Sequence, residues 1–272
     1  MIEQPMLRAL TVNEILDKAL RIYRAKFALL LGIVAIVLIP SGILEFVAAY
    51  FLGDSLDIGD SLNSLFSSFA RLALIMAISH AYLGREFSIG SAYSRGLKRF
   101  WSVVGAGIII GLAIGIPGIV VFACLAIANT VLGFVALVFF LPFVVYLSTC
   151  WSLTSPAIVL EDMGASDGLT RSWGLTQDYF WRVFGTSFAA SLLSILLMVL
   201  PNLFVVSLLG VTGFSSQVID LAGLVVQQIS LIFAMPFTVA VQVLIYYDLR
   251  IRKEGFDLML RATEGLANQP TF

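Results

Sequence analysis

Glu45 and Arg71 are ionisable residues inside otherwise apolar stretches, and they are the first places in this sequence to look for chemistry. A charge held in hydrocarbon is costly and marks a functional site by default. Glu45 falls late in the first apolar stretch and Arg71 in the first half of the second. Stretches joined by a short loop run antiparallel, so the two side chains are expected at similar depth. The favoured expectation is a buried ion pair that pins the two stretches together. A transport or binding role for the pair, and an Arg71 that snorkels to the outer surface, are the alternatives.

Other chemistry is thinly provided for. His80 is the single histidine, and without clustered thiols or carboxylates it cannot build a zinc site of three or four protein ligands. Serine and threonine are plentiful, yet no nucleophile elbow and no Ser-His-Asp arrangement stands out. No catalytic residue, metal or cofactor is therefore expected. Cys124 and Cys150 both lie in apolar runs, where a thiol behaves as a small hydrophobe rather than a disulfide partner.

The elements that must carry these residues follow from composition. Of 272 residues 60% are hydrophobic and 12% charged, with mean hydropathy +0.99. Soluble domains are nearer half apolar and about 25% charged. The apolar residues form runs at about 27–52, 62–84, 101–127, 131–158, 181–209 and 221–247. Each is long enough to cross about 30 Å of hydrocarbon as a helix. Pro40, Pro117, Pro142, Pro201 and Pro236 lie inside five of them, as membrane helices tolerate. Residues 1–26 show no cleavable signal, so the first span is expected to act as its own insertion signal.

Charge sets the expected orientation. All but one of the 16 Lys and Arg fall in the N-terminal segment, in 85–99, in 171–182 or after the last span. The intervening loops carry Asp54, Asp57, Asp60 and Asp220 but no Lys or Arg. Such a bias places the basic segments and both termini in the cytoplasm and requires an even number of spans. Six spans in the plasma (inner) membrane of a prokaryote is the expectation.

A polar segment with helical periodicity precedes the first, third and fifth spans. Thr11 and Glu14 fit a capping box, and Ile15, Leu16, Ala19 and Tyr23 fall on one stripe. Ser88 can cap a second such helix; a third, from about 165 to 180, is less regular, with Leu169 and Trp173 its clearest apolar pair. Phe100-Trp101-Ser102-Val103 recurs as Phe180-Trp181-Arg182-Val183 at the span entries. The expected architecture is a single all-α membrane domain over 1–272. Its three hairpins, at about 11–84, 88–160 and 165–247, are each introduced by a cytoplasmic amphipathic interfacial helix, and 248–272 form a tail. Tyr23, Arg24, Lys98, Arg99, Phe100, Trp101, Arg171, Trp173, Phe180, Trp181 and Arg182 form the expected interfacial or partner surface.

Two polar or small-residue features remain. Gly107, Gly111 and Gly115 repeat every four residues and present a flat face for close helix packing, expected within the chain before homodimerisation. Asn202, Gln227, Gln228, Ser230 and Gln242 either line a hydrated path or, as the preferred expectation, bond helices to one another.

Three segments together carry a resemblance: Ser155-Pro156-Ala157-Ile158-Val159-Leu160-Glu161-Asp162, then Arg171-Ser172-Trp173-Gly174-Leu175-Thr176 leading to Phe180-Trp181-Arg182-Val183, and Tyr246-Tyr247-Asp248-Leu249-Arg250 with the residues to Asp257. The chain resembles the glycerophosphoryl diester phosphodiesterase membrane-domain family of multi-span bacterial and archaeal proteins, over nearly its whole length. Some members fuse this region to a soluble catalytic domain, for which these 272 residues leave no room. The resemblance therefore implies a stand-alone membrane region without the phosphodiesterase activity. The expected function is a non-catalytic scaffold or subunit of a membrane assembly, with a transporter or lipid-handling protein as the alternative. Expected partners are the bilayer and a membrane protein or a second copy, and no nucleic acid.

Overall fold

The computed structural model describes residues 8–52, 58–127, 130–256 and 258. Asp54, Asp57 and Arg261, and the side chains of Asp60 and Cys124, lie outside the described part. The described residues are helical, with turns and no strand. The helices are α1 (Val12–Ala25), α2 (Phe27–Leu52), α3 (Ile58–Tyr82), α4 (Ile89–Gly96), α5 (Phe100–Ile127), α6 (Thr130–Cys150), α7 (Thr154–Glu161), α8 (Ala165–Thr176), α9 (Phe180–Val211) and α10 (Ser216–Glu254). Of these, α2, α3, α5, α6, α9 and α10 are long and apolar enough to cross a membrane, as a multi-pass membrane protein requires.

One span differs from its expected extent. The fourth run, expected to continue to residue 158, stops at Cys150 and resumes as α7 after a turn at 151–153. Proline at 156 suits the restart. An unbroken helix would need an N–H at 156 to reach the carbonyl of Ser152, and proline supplies none, whereas the first turn of a new helix needs none. Pro40, Pro117, Pro142, Pro201 and Pro236 all remain inside helices, so proline alone does not end one here.

The chain forms two compact units, Met1–Lys98 with Gly185–Asp248, and Arg99–Phe184 with Leu249–Phe272. In the first, α2 packs along α3, and the second half of α10 is enclosed, with Phe237, Val241, Leu244 and Tyr246 buried. A helix apolar on every side is stable only when surrounded. Helix α1 buries Ile15 and Ala19 and exposes Asn13, Asp17 and Arg21. Its capping box is formed: the Glu14 N–H donates to Thr11 Oγ1 at 3.3 Å and the Thr11 N–H to Glu14 Oε2 at 2.7 Å. The Leu10 N–H donates to the buried Asp248 carboxylate at 2.8 Å, which ties the chain just before α1 to α10. Ser88 caps α4, accepting from the Ser91 N–H at 3.3 Å.

In the second unit the core is Ala106, Ile158 and Leu169, flanked by Val103, Ile110, Trp151 and Ala165. Helices α7 and α8 approach so closely at Gly168 that a Cβ there would lie 2.2 Å from Ile158 Cγ1. Helix α8 is more regular than its sequence suggested, burying Leu169, Ser172 and Leu175 on one side.

Candidate functional site

In the second unit α7, α8 and the end of α10 supply one group of charges. Helix α7 ends at Glu161, where Asp162 takes a left-handed conformation (φ 58°) and its N–H returns to the Ile158 carbonyl. Short polar residues tolerate that conformation better than branched ones. The reversal sets α8 beside α7 and brings Arg171 to Glu161, which it grips with two nitrogens: Nε to Oε2 at 3.0 Å and Nη2 to Oε1 at 2.9 Å. The same guanidinium donates to Glu254 at 2.8 Å. Arg250, one turn before Glu254, closes the group at 3.2 Å from Glu254 and 3.5 Å from Glu161. Two cations and two anions, none more than 24% exposed, thus neutralise one another where the last helix ends. Lys253 extends the group to Asp178 and to the Gly174 carbonyl, and Arg99 pairs with Asp162.

Beside this group lies the repaired break between α6 and α7. The buried Ser172 hydroxyl donates to the Cys150 carbonyl at 2.7 Å and accepts the Leu153 N–H at 3.2 Å. A single side chain on α8 thus satisfies two main-chain groups that the turn leaves open. Cys150 is a free, buried thiol.

The expected surface residues divide. Trp101 and Trp181 stand 80% and 79% exposed, each edge-on to its neighbouring phenylalanine at 5.3 Å. Each pair follows a 3-10 turn, Leu97–Arg99 before Phe100 and Gln177–Tyr179 before Phe180. Arg24 and Lys98 are exposed, while Arg182 is half-buried. Tyr23 turns inward and donates to the Phe233 carbonyl at 3.2 Å. Trp173 packs on Tyr146 and Trp151, Phe180 on Tyr146, and Arg171 and Arg99 face carboxylates of their own unit.

In the first unit Glu45 is buried on α2 and its carboxylate accepts a hydrogen bond from Gln228 Nε2 on α10. Arg71 is exposed on α3 instead, and no ion pair between it and Glu45 is present among the described residues. The amide finds the carboxylate because Gly42, one turn before Glu45, has no side chain: a Cβ there would come within 3.1 Å of Gln228 Cγ. Asn202 likewise bonds α9 to α10, through the Gly223 carbonyl at 3.1 Å. His80 Nδ1–H donates to the Met76 carbonyl within its own helix, 2.7 Å away, and Nε2 meets Arg95 at 3.2 Å.

Gly107, Gly111 and Gly115 do not serve the packing expected of them within their unit. All three are exposed, and a Cβ at any of them would meet nothing within 4 Å. The neighbours of α5 contact its other side, at Val103, Ala106 and Ile110.

Glu161, Glu254, Arg250 and Ser172 were not singled out by spacing or periodicity. The available signal was the helical i, i+4 spacing of Arg250 and Glu254. No family model, curated protein or solved structure matches the chain.

Proposed function

We propose that the protein is a non-catalytic multi-pass membrane protein that serves as a scaffold or subunit of a larger membrane assembly. The observation that carries this reading is the open glycine face of α5. Gly107, Gly111 and Gly115, with Ile108, Leu112 and Ile116 beside them, form an apolar strip that no helix of the same unit occupies. Small residues at four-residue spacing let a second helix approach to backbone contact, which is how helices associate in lipid. The charged and hydroxyl groups at Glu161, Arg171, Arg250, Glu254 and Ser172 support the same reading, because each is engaged in holding helices together. On this proposal the six spans form three hairpins, and α1, α4 and α8 lie at the cytoplasmic headgroup layer of a prokaryotic plasma membrane. The resemblance to stand-alone members of the phosphodiesterase membrane-domain family fits it.

Purification of the tagged full-length chain in mild detergent tests the reading. A partner or second copy is expected at fixed stoichiometry, and Gly111→Leu is expected to release it without loss of helicity. A monomeric wild-type protein without any stoichiometric partner refutes the proposal.

A second reading, a lipid- or amphiphile-handling protein, is favoured by two cavities along α2 and α10 in the first unit.

A further inference from the structure

The first unit contains two adjoining spaces of opposite character. One is an apolar groove of about 330 Å³ between α2 and α10, floored by Gly42 and Gln228 and walled by Ile39, Ile43, Val225 and Ile229. The other, of about 570 Å³, begins one turn further along both helices and is shared with α9. Asn202, Gln217, Asp220 and Gln227 supply its polar groups. Leu224 borders both, so the groove and the polar chamber adjoin. Sizes of this order, with apolar walls and a few polar groups, are those of small-ligand sites.

We infer that the two spaces form one binding site for a single amphiphile with an uncharged, polyhydroxylated headgroup, such as a glycosyl lipid. The headgroup occupies the chamber and one hydrocarbon tail the groove. The chemistry of the lining selects this head. Three amides offer donors and acceptors together, and a carboxylate adds acceptors, which is the set that sugar hydroxyls require. Among the described residues no Lys or Arg lines either space, whereas anionic phosphate heads are recognised by cations. Asp220 further disfavours an anion by like-charge repulsion. On the groove floor Gln228 is only 9% exposed, its Nε2 engaged by Glu45.

Native mass spectrometry of the purified full-length protein tests this, using an equimolar mixture of monoglucosyl dioleoylglycerol and dioleoyl phosphatidylglycerol. The identical tails isolate the headgroup. One retained glucosyl lipid is expected, preferred about tenfold, as two or so hydrogen bonds provide. Asp220→Ala with Gln227→Leu is expected to bring the preference close to parity while a lipid is still retained. Val225→Trp fills the groove from an exposed position and is expected to abolish retention of both lipids. Ile229→Trp, also exposed, replaces it if that variant fails to fold. A preference for phosphatidylglycerol, no retained lipid on the wild type, or retention unchanged by the tryptophan variants overturns the inference. None of these outcomes depends on whether a protein partner binds α5.

Discussion

Ser172 donates its hydroxyl hydrogen to the main-chain carbonyl of Cys150 at 2.7 Å, across 22 residues of sequence. The Ser172 oxygen also accepts the Leu153 N–H, so one α8 side chain serves two main-chain groups that the turn leaves open. Ser172→Ala leaves a buried carbonyl and a buried N–H without that partner. The expected cost is about 1–3 kcal/mol, read as a lowered thermal midpoint in detergent. Ser172→Thr, which keeps the hydroxyl, is expected to lose less; equal midpoints for wild type and Ser172→Ala would show that the bridge contributes nothing.

Gly168 is the second support of this corner. A methyl group there would overlap Ile158, in a core already filled by Ala106 and Leu169. Gly168→Ala is expected to destabilise by about 1–3 kcal/mol through overpacking, although alanine is the better helix former. Pairing it with Ile158→Val should recover part of the loss, a coupling that a double-mutant cycle measures directly.

Arg171 joins two carboxylates that otherwise face each other. Arg171→Gln removes the guanidinium that Glu161 and Glu254 share, at an expected cost of about 2–4 kcal/mol, slightly below that of breaking a fully buried pair. Arg171→Lys keeps the charge but not the two-pronged grip, and should fall between. Stability ranked wild type, lysine, glutamine is the expected result; a glutamine variant as stable as wild type would sink the account.

Acid should loosen the start of α1. The Thr11 N–H, then the Arg8 guanidinium and the Thr11 hydroxyl, hold the Glu14 carboxyl down at about 2. A carboxyl depressed on folding stabilises above its unfolded value and loses that contribution as pH falls through its folded value. The support is therefore full near neutrality and declines between the ordinary carboxylate range and about 2. Hydrogen-exchange protection of the first turn of α1 should fall over that window in the wild type. In Glu14→Gln it should stay low and flat.

Much of the architecture was legible from apolar run length, because crossing hydrocarbon demands about 20 consecutive residues whatever packs beside them. The Thr11 cap was legible for a similar reason: both partners lie within one turn. Relations between distant segments were not. Glu45 was expected opposite Arg71 on depth alone, yet rotation about the helix axes turns the carboxylate toward Gln228 and leaves the arginine exposed. The glycines of α5 show the same gap, since periodicity defines a face but not its occupant. The break at 151–153 depended on a hydroxyl 19 residues beyond Leu153, which no local rule would pair with it.

The matched exposure of Trp101 and Trp181 also bears on how this protein floats. Indoles settle at the headgroup plane, where their ring finds hydrocarbon and their N–H finds water. Two of them in one unit, each fixed beside a phenylalanine at the head of a long helix, act as a pair of draught marks. On the proposed insertion each would hold the start of its helix at the headgroup level, and removing one would loosen that depth rather than unfold the unit.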